Sequence, residues 1–174
     1  MSAEPFEPML TGGHPNSLGR TIEVVETVLA QPDRFNELYA CYRSDDEVVR
    51  LRVSNAMRRV EAERHDLLVP YIDRFIEEIG DLDQPSAQWT LAKLFEALEP
   101  DMSPPQKAAA RAIMQRNLAE HPDWIVLNNT MEALFAWSQD NADLRRWLKP
   151  HLERLTKDSR KSVSGRARKL LNRF

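Results

Sequence analysis

The chain has 174 residues, enough for one core, and its hydrophobic (42%) and charged (29%) fractions exclude a disordered or fibrous class. A net charge of −3 supplies no global attraction to nucleic acid or anionic lipid. No apolar run reaches the roughly 20 residues that span a bilayer. The opening residues lack the basic start and apolar centre of a signal peptide, and the single Cys41 admits no internal disulfide, so a cytoplasmic protein is expected.

Residues 1–16 hold Pro5, Pro8, Gly12, Gly13 and Pro15, a composition that predicts an extended arm. Asn16 or Ser17 then caps a helix running through Ile22, Val25, Val28 and Leu29 to Pro32, which opens a shorter helix with Phe35, Leu38, Tyr39 and Cys41. Ser44 is then expected to cap the next helix, ahead of Asp45, Asp46 and Glu47, acids placed where the free N–H groups of a first helical turn favour them.

From that point one pattern recurs, starting at Asp45, Asp83, Pro122 and Ser159, spaced 38, 39 and 37 residues apart. Four steps into each unit stand Val49, Ala87, Val126 and Val163, and eight steps in stand Val53, Leu91, Thr130 and Ala167. Eleven and twelve steps in come Ala56 and Met57, Leu94 and Phe95, Ala133 and Leu134, Leu170 and Leu171; Val60, Leu98, Trp137 and Phe174 follow. These offsets revisit one stripe of a 3.6-residue helix, so each unit opens with an amphipathic helix whose apolar side faces inward. Second helices are expected around Leu68, Ile72, Phe75, Ile76 and Ile79, then around Ala109, Ala112, Ile113 and Leu118. The third carries Leu144, Trp147, Leu148, Leu152 and Leu155. Pro70 and Pro150 fall within second helices, where each removes a backbone donor and bends the helix.

Asp45-Asp46-Glu47-Val48-Val49-Arg50, with Ala56, Met57 and the later Leu68-Val69-Pro70-Tyr71-Ile72, resembles the HEAT-repeat family, which is related to armadillo repeats. That family opens its first helix with an acid, places a Val-Arg pair one turn later and often carries proline in the second helix. Later units replace Arg50 by Gln88, Leu127 and Ser164, although Lys149-Pro150-His151-Leu152 repeats the proline. The resemblance implies an all-α fold, an α-α superhelix or right-handed solenoid of about four helical-hairpin repeats. Residues 17–174 would form one domain, with repeats starting near 17, 45, 83 and 122 and a terminal capping helix from 159. A period of this length agrees with units that bury one another's apolar faces.

The resemblance also implies a scaffold that binds a protein or peptide on its concave side, usually lined by second helices. Tyr71, Arg74, Arg111, Gln115, Arg146 and Lys149 are the expected contact residues there. A second reading is nucleic-acid binding, related to HEAT-like glycosylases that excise alkylated bases, with Arg160, Lys161, Arg166, Arg168, Lys169 and Arg173 as its surface. Those residues also suit the solvated side of a capping helix. Asn128 and Asn129 stand where packing residues are expected; Asn128 would bond a loop carbonyl of a neighbouring unit or contact a ligand. Trp124 is a staple or an exposed anchor. Histidines 14, 65, 121 and 151 are never three or four residues apart, so no metal site, cofactor or catalytic constellation is expected. Thr11-Gly12-Gly13-His14 is a weak phosphate-loop signal.

Overall fold

Short polar side chains ahead of several of the apolar stripes decide where those helices begin. The computed structural model describes residues 2–174, which are all-helical with no strand. The helices are α1 (Phe6–Leu10), α2 (Thr21–Ala30), α3 (Phe35–Ala40), α4 (Glu47–Glu63) and α5 (Ile72–Arg74). They continue with α6 (Pro85–Leu98), α7 (Pro104–Glu120), α8 (Trp124–Ser138), α9 (Ala142–Leu155) and α10 (Lys161–Leu171). Asp46 rather than Ser44 caps α4, accepting from the Val48 N–H at 2.8 Å. Asp123 caps α8 through the N–H groups of Ile125 and Val126, Asn141 caps α9, and Ser103 with Gln106 forms a reciprocal capping box on α7.

The first helices α4, α6, α8 and α10 begin 38, 39 and 37 residues apart and pack on one another in chain order, with α2 preceding them against α4. The predicted columns face inward: Val49, Ala87, Val126 and Val163 are fully buried, as are Val53, Thr130 and Ala167, with Leu91 nearly so. Trp137, Leu171 and Phe174, at the outer end of the stripe, are half-buried. Burying a leucine-sized side chain contributes about 1.5–3 kcal/mol, so these columns hold the row together.

The second helices are less regular. In the first unit, the expected helix is two 3-10 turns (His65–Leu67 and Val69–Tyr71), the single turn of α5 and a π-helical turn at Phe75–Ile79. Pro70 lies at the start of the second of these turns rather than inside a helix, where its missing N–H costs no ladder bond. After the π turn comes Gly80, whose Cβ, if present, would collide with the Ile76 carbonyl and the Ile113 side chain. On α7 the inward residues are Ala110, Met114, Asn117 and Leu118, whereas the expected Ala112 is exposed and Ala109 only half-buried. The Ala108-Ala109-Ala110 run leaves the phase of that helix unmarked, and a buried amide pair decides it. The Asn117 amide donates to Gln88 at 2.9 Å, and Gln88 donates to the carbonyls of Ile79, Gly80 and Leu82.

The extended arm expected at residues 1–16 is corrected in part. Phe6, Met9 and Leu10 share one face of α1 and are buried against α2, α3 and α4. Pro5 and Pro8 do not prevent this, because they occupy the cap and first turn, where an N–H would have no helical partner. The Phe6 N–H donates to Glu37, and the Arg34 guanidinium lies 4.0 Å above the Phe6 ring. Residues 11–20 are exposed loop, so α2 starts at Thr21 and not after Ser17. Beneath the loop lies Arg52 of α4, 1% exposed, donating to the carbonyls of Leu10, His14 and Ser17 at 2.9, 3.3 and 3.2 Å. Gly13 and Gly19 take positive φ directly against that guanidinium; a Cβ on Gly19 would approach it to 3.0 Å.

Candidate functional site

Each first helix turns one stripe into the core and leaves the opposite stripe facing out. The outer stripe of α4 carries Leu51, Asn55, Arg58, Arg59 and Ala62, and together with Trp89 on α6 and Ile125 and Asn129 on α8 it lines a groove of about 490 Å³. Among the described residues no carboxylate lines this groove. Arg59 donates to the Asn55 side-chain carbonyl at 2.7 Å, while Arg58 is exposed and has no acidic partner among the described residues. The Asn129 amide donates to the Trp89 carbonyl at 3.1 Å, tying α8 to α6 along the groove floor.

Ile125, Asn129 and Glu132 follow one another at helical spacing on the same face of α8. Glu132 borders a neighbouring groove of about 340 Å³ with Lys161, Arg166 and Lys169 of α10, and pairs with Arg166 at 2.7 Å. The outward face of the first-helix row therefore carries Arg58, Lys161 and Lys169 with no acidic partner among the described residues, although the whole chain is net negative.

The second helices do not assemble the expected contact residues into one row. Tyr71 and Arg74 come together, but the Arg74 guanidinium lies 4.3 Å above the Tyr39 ring and 5.3 Å from Tyr71, and donates to Glu78 at 3.1 Å. Arg111 lines a groove of about 330 Å³ between α7 and α9 with Trp137 on its floor; Glu99 and Asp140 line it too, and Lys107 there pairs with Glu99 at 3.1 Å. Gln115 is half-buried outside that lining, Arg146 is bound to Asp143 one turn earlier on α9, and Lys149 is exposed. The reason is local. Arg74 and Arg146 are each held by an acid within one helical turn, Glu78 and Asp143.

The basic C-terminal residues are also partly engaged. Arg160 donates to Asp158 at 2.9 Å and to the Pro122 carbonyl, Arg168 donates to the Thr156 carbonyl, and Arg173 lies 4.7 Å above the Phe135 ring. The Arg160 side-chain hydrogen bond is the main reason the Asp158 carboxyl is held down at about 2. Of the six expected residues, Lys161 and Lys169 alone remain without an acid, ring or carbonyl partner among the described residues.

Trp124, the first residue of α8, is 48% exposed, which makes it a surface group rather than a staple. The expectation for the two amides is reversed. Asn129 joins neighbouring units, through a helical carbonyl, while Asn128 is buried at 3% exposure with its side-chain oxygen unpartnered. Arg58, Arg59 and Arg52 were not singled out by sequence reasoning. The adjacent pair Arg58-Arg59 does fall outside the apolar columns, which is the one sequence signal that marks an outer stripe; Arg52 carries no such signal, because its carbonyl partners lie 35 to 42 residues away.

Near the end of α4, His65 bridges Glu61 at 2.8 Å and Asp101 at 2.6 Å, and these carboxylates, Glu61 foremost, raise its pKa. Among the described residues no group of three or more His, Cys, Asp and Glu is placed to hold a metal ion, and no helix is long and apolar enough to cross a membrane. Comparison of the chain with protein-family models, with curated proteins and with solved structures finds no match.

Proposed function

We propose that this chain is a HEAT-like interaction module, a right-handed α-solenoid of about four hairpin units within residues 17–174, that holds a protein partner without transforming it. The observation that carries this reading is the serial packing of α4, α6, α8 and α10, each burying the same columns at nearly the same period. A hairpin of this length cannot bury both its faces alone, and stacking covers the inner stripe while leaving outer stripes side by side. Such a row offers an extended surface whose grooves cross several helices, which suits a partner longer than a small molecule. A second reading, nucleic-acid binding, draws support from unpaired Lys161 and Lys169 on the terminal helix.

Affinity capture of the tagged full chain from lysate of its own source, with and without nuclease, separates the two. The expected outcome is a protein that survives nuclease and rebinds when both components are purified. Material lost on nuclease treatment would favour nucleic acid, and retention of nothing would remove the module reading.

A further inference from the structure

Resting on the interaction-module reading, we propose that the groove across α4, α6 and α8 is a docking site for an acidic, partly apolar peptide segment of the partner. Its charge is complementary to such a segment. Arg58 and Arg59 stand side by side with no carboxylate in the lining, so their guanidinium forks are available for bidentate pairing with Asp or Glu side chains. Asn55 fixes Arg59 in place, which lowers the side-chain entropy lost when a ligand binds. Asn129 commits one amide hydrogen to Trp89 and keeps its remaining donor and acceptor capacity for a peptide backbone.

The apolar lining decides between peptide and nucleic acid. Affinity for a nucleic-acid strand rises with the number of phosphates neutralised and with successive bases stacked on aromatic rings. This groove has two arginines and a single indole, Trp89, and the rest of its lining includes the aliphatic Leu51 and Ile125. Aliphatic surface beside an arginine pair matches a segment that carries both apolar and acidic side chains. Three helices at roughly 8–10 Å spacing span about 20 Å. An extended segment of about six residues at roughly 3.3 Å each covers that distance.

The test titrates the isotope-labelled full chain with an end-blocked peptide of about six alternating Glu and Leu residues, followed by NMR. Controls are the Lys/Leu counterpart and an oligothymidylate of about ten nucleotides. The side-chain amide signals of Asn55 and Asn129 and the indole N–H of Trp89 should move with the Glu/Leu peptide and stay in place with the Lys/Leu peptide. Arg58→Glu combined with Arg59→Glu should weaken that binding at least about tenfold. The same variant should melt within about 2 °C of wild type, since both arginines are exposed. The proposal is overturned by signals that move elsewhere or nowhere up to about 5 mM peptide, by unchanged affinity in the double variant, or by oligothymidylate moving those signals when the peptide does not. Repeating the capture with the double variant keeps the two proposals apart. If a partner held by wild type is still held by the variant, the groove assignment fails and the module reading stands; if wild type holds no protein, the module reading fails.

Discussion

The row of first helices and the layer of second helices are built from similar residues but hold their shape by different means. In α4, α6, α8 and α10 the core stripe is filled by Val, Leu, Ala, Met and Phe at fixed offsets, and the outer stripe is free to vary. In the second layer, α5 is a single turn followed by a π turn, α9 has Pro150 inside it, and α7 is phased by the Gln88–Asn117 amide pair. Periodic apolar burial specifies the row, whereas particular polar contacts specify the layer. The row can therefore carry a variable outer surface without loss of packing. The second layer spends its charged groups on local pairs such as Arg74–Glu78 and Arg146–Asp143.

The largest effect expected from breaking this comparison is in the row. Phe95 is fully buried in the third column of α6, so Phe95→Ala should destabilise the protein by about 3–5 kcal/mol in urea unfolding. A loss below about 1 kcal/mol would mean that the row does not depend on its columns. In the second layer, Gly80→Ala must displace both the Ile113 side chain and the Ile76 carbonyl and should cost about 1–3 kcal/mol. If that variant melts like wild type, the π turn is not constrained as described.

A smaller, pH-dependent effect sits at His65, where the bridge to Glu61 and Asp101 joins α4 to the segment after α6. Its folded pKa is raised above the ordinary 6.5, so its contribution is fully present below about pH 6.5 and is lost as pH rises through the folded value. His121 and His151 are shifted down by burial and act in the opposite sense, so the effect is read as wild type minus His65→Gln. That difference in melting temperature should shrink as pH rises above about 6.5; a difference that stays constant would remove the bridge from the account. Smallest of all, Arg111→Glu with Arg146→Glu should change stability by no more than about 0.5 kcal/mol per site, because neither side chain is buried. A change several times larger would mean that the second-layer surface is part of the packing.

How much of this was legible in advance depends on the range of the interactions concerned. Caps at Ser103, the acids before Val48 and the columns from Val49 to Ala167 are visible in the sequence, since a cap acts over three residues and a helical stripe repeats every three or four. The misplaced second-layer residue Ala112 follows from an alanine run without contrast between faces. The candidate site was legible only in part: Asn129 stood out in an amide stretch where packing residues are expected, but no rule of spacing brings Arg58 and Arg59 to the same groove as Ile125.

The sequence by itself determined an all-helical chain, the starts of its main helices and the residues of the first-helix core, because propensity, capping and 3.6-residue periodicity are settled within a few turns. Only the tertiary structure decided that α1 docks through Phe6 and Leu10, that Arg52 is buried beneath residues 11–20, how α7 is phased, and that three outer stripes enclose one carboxylate-free groove. Each of those depends on groups tens of residues apart meeting in space, and the energy that holds them exists only once the helices have packed.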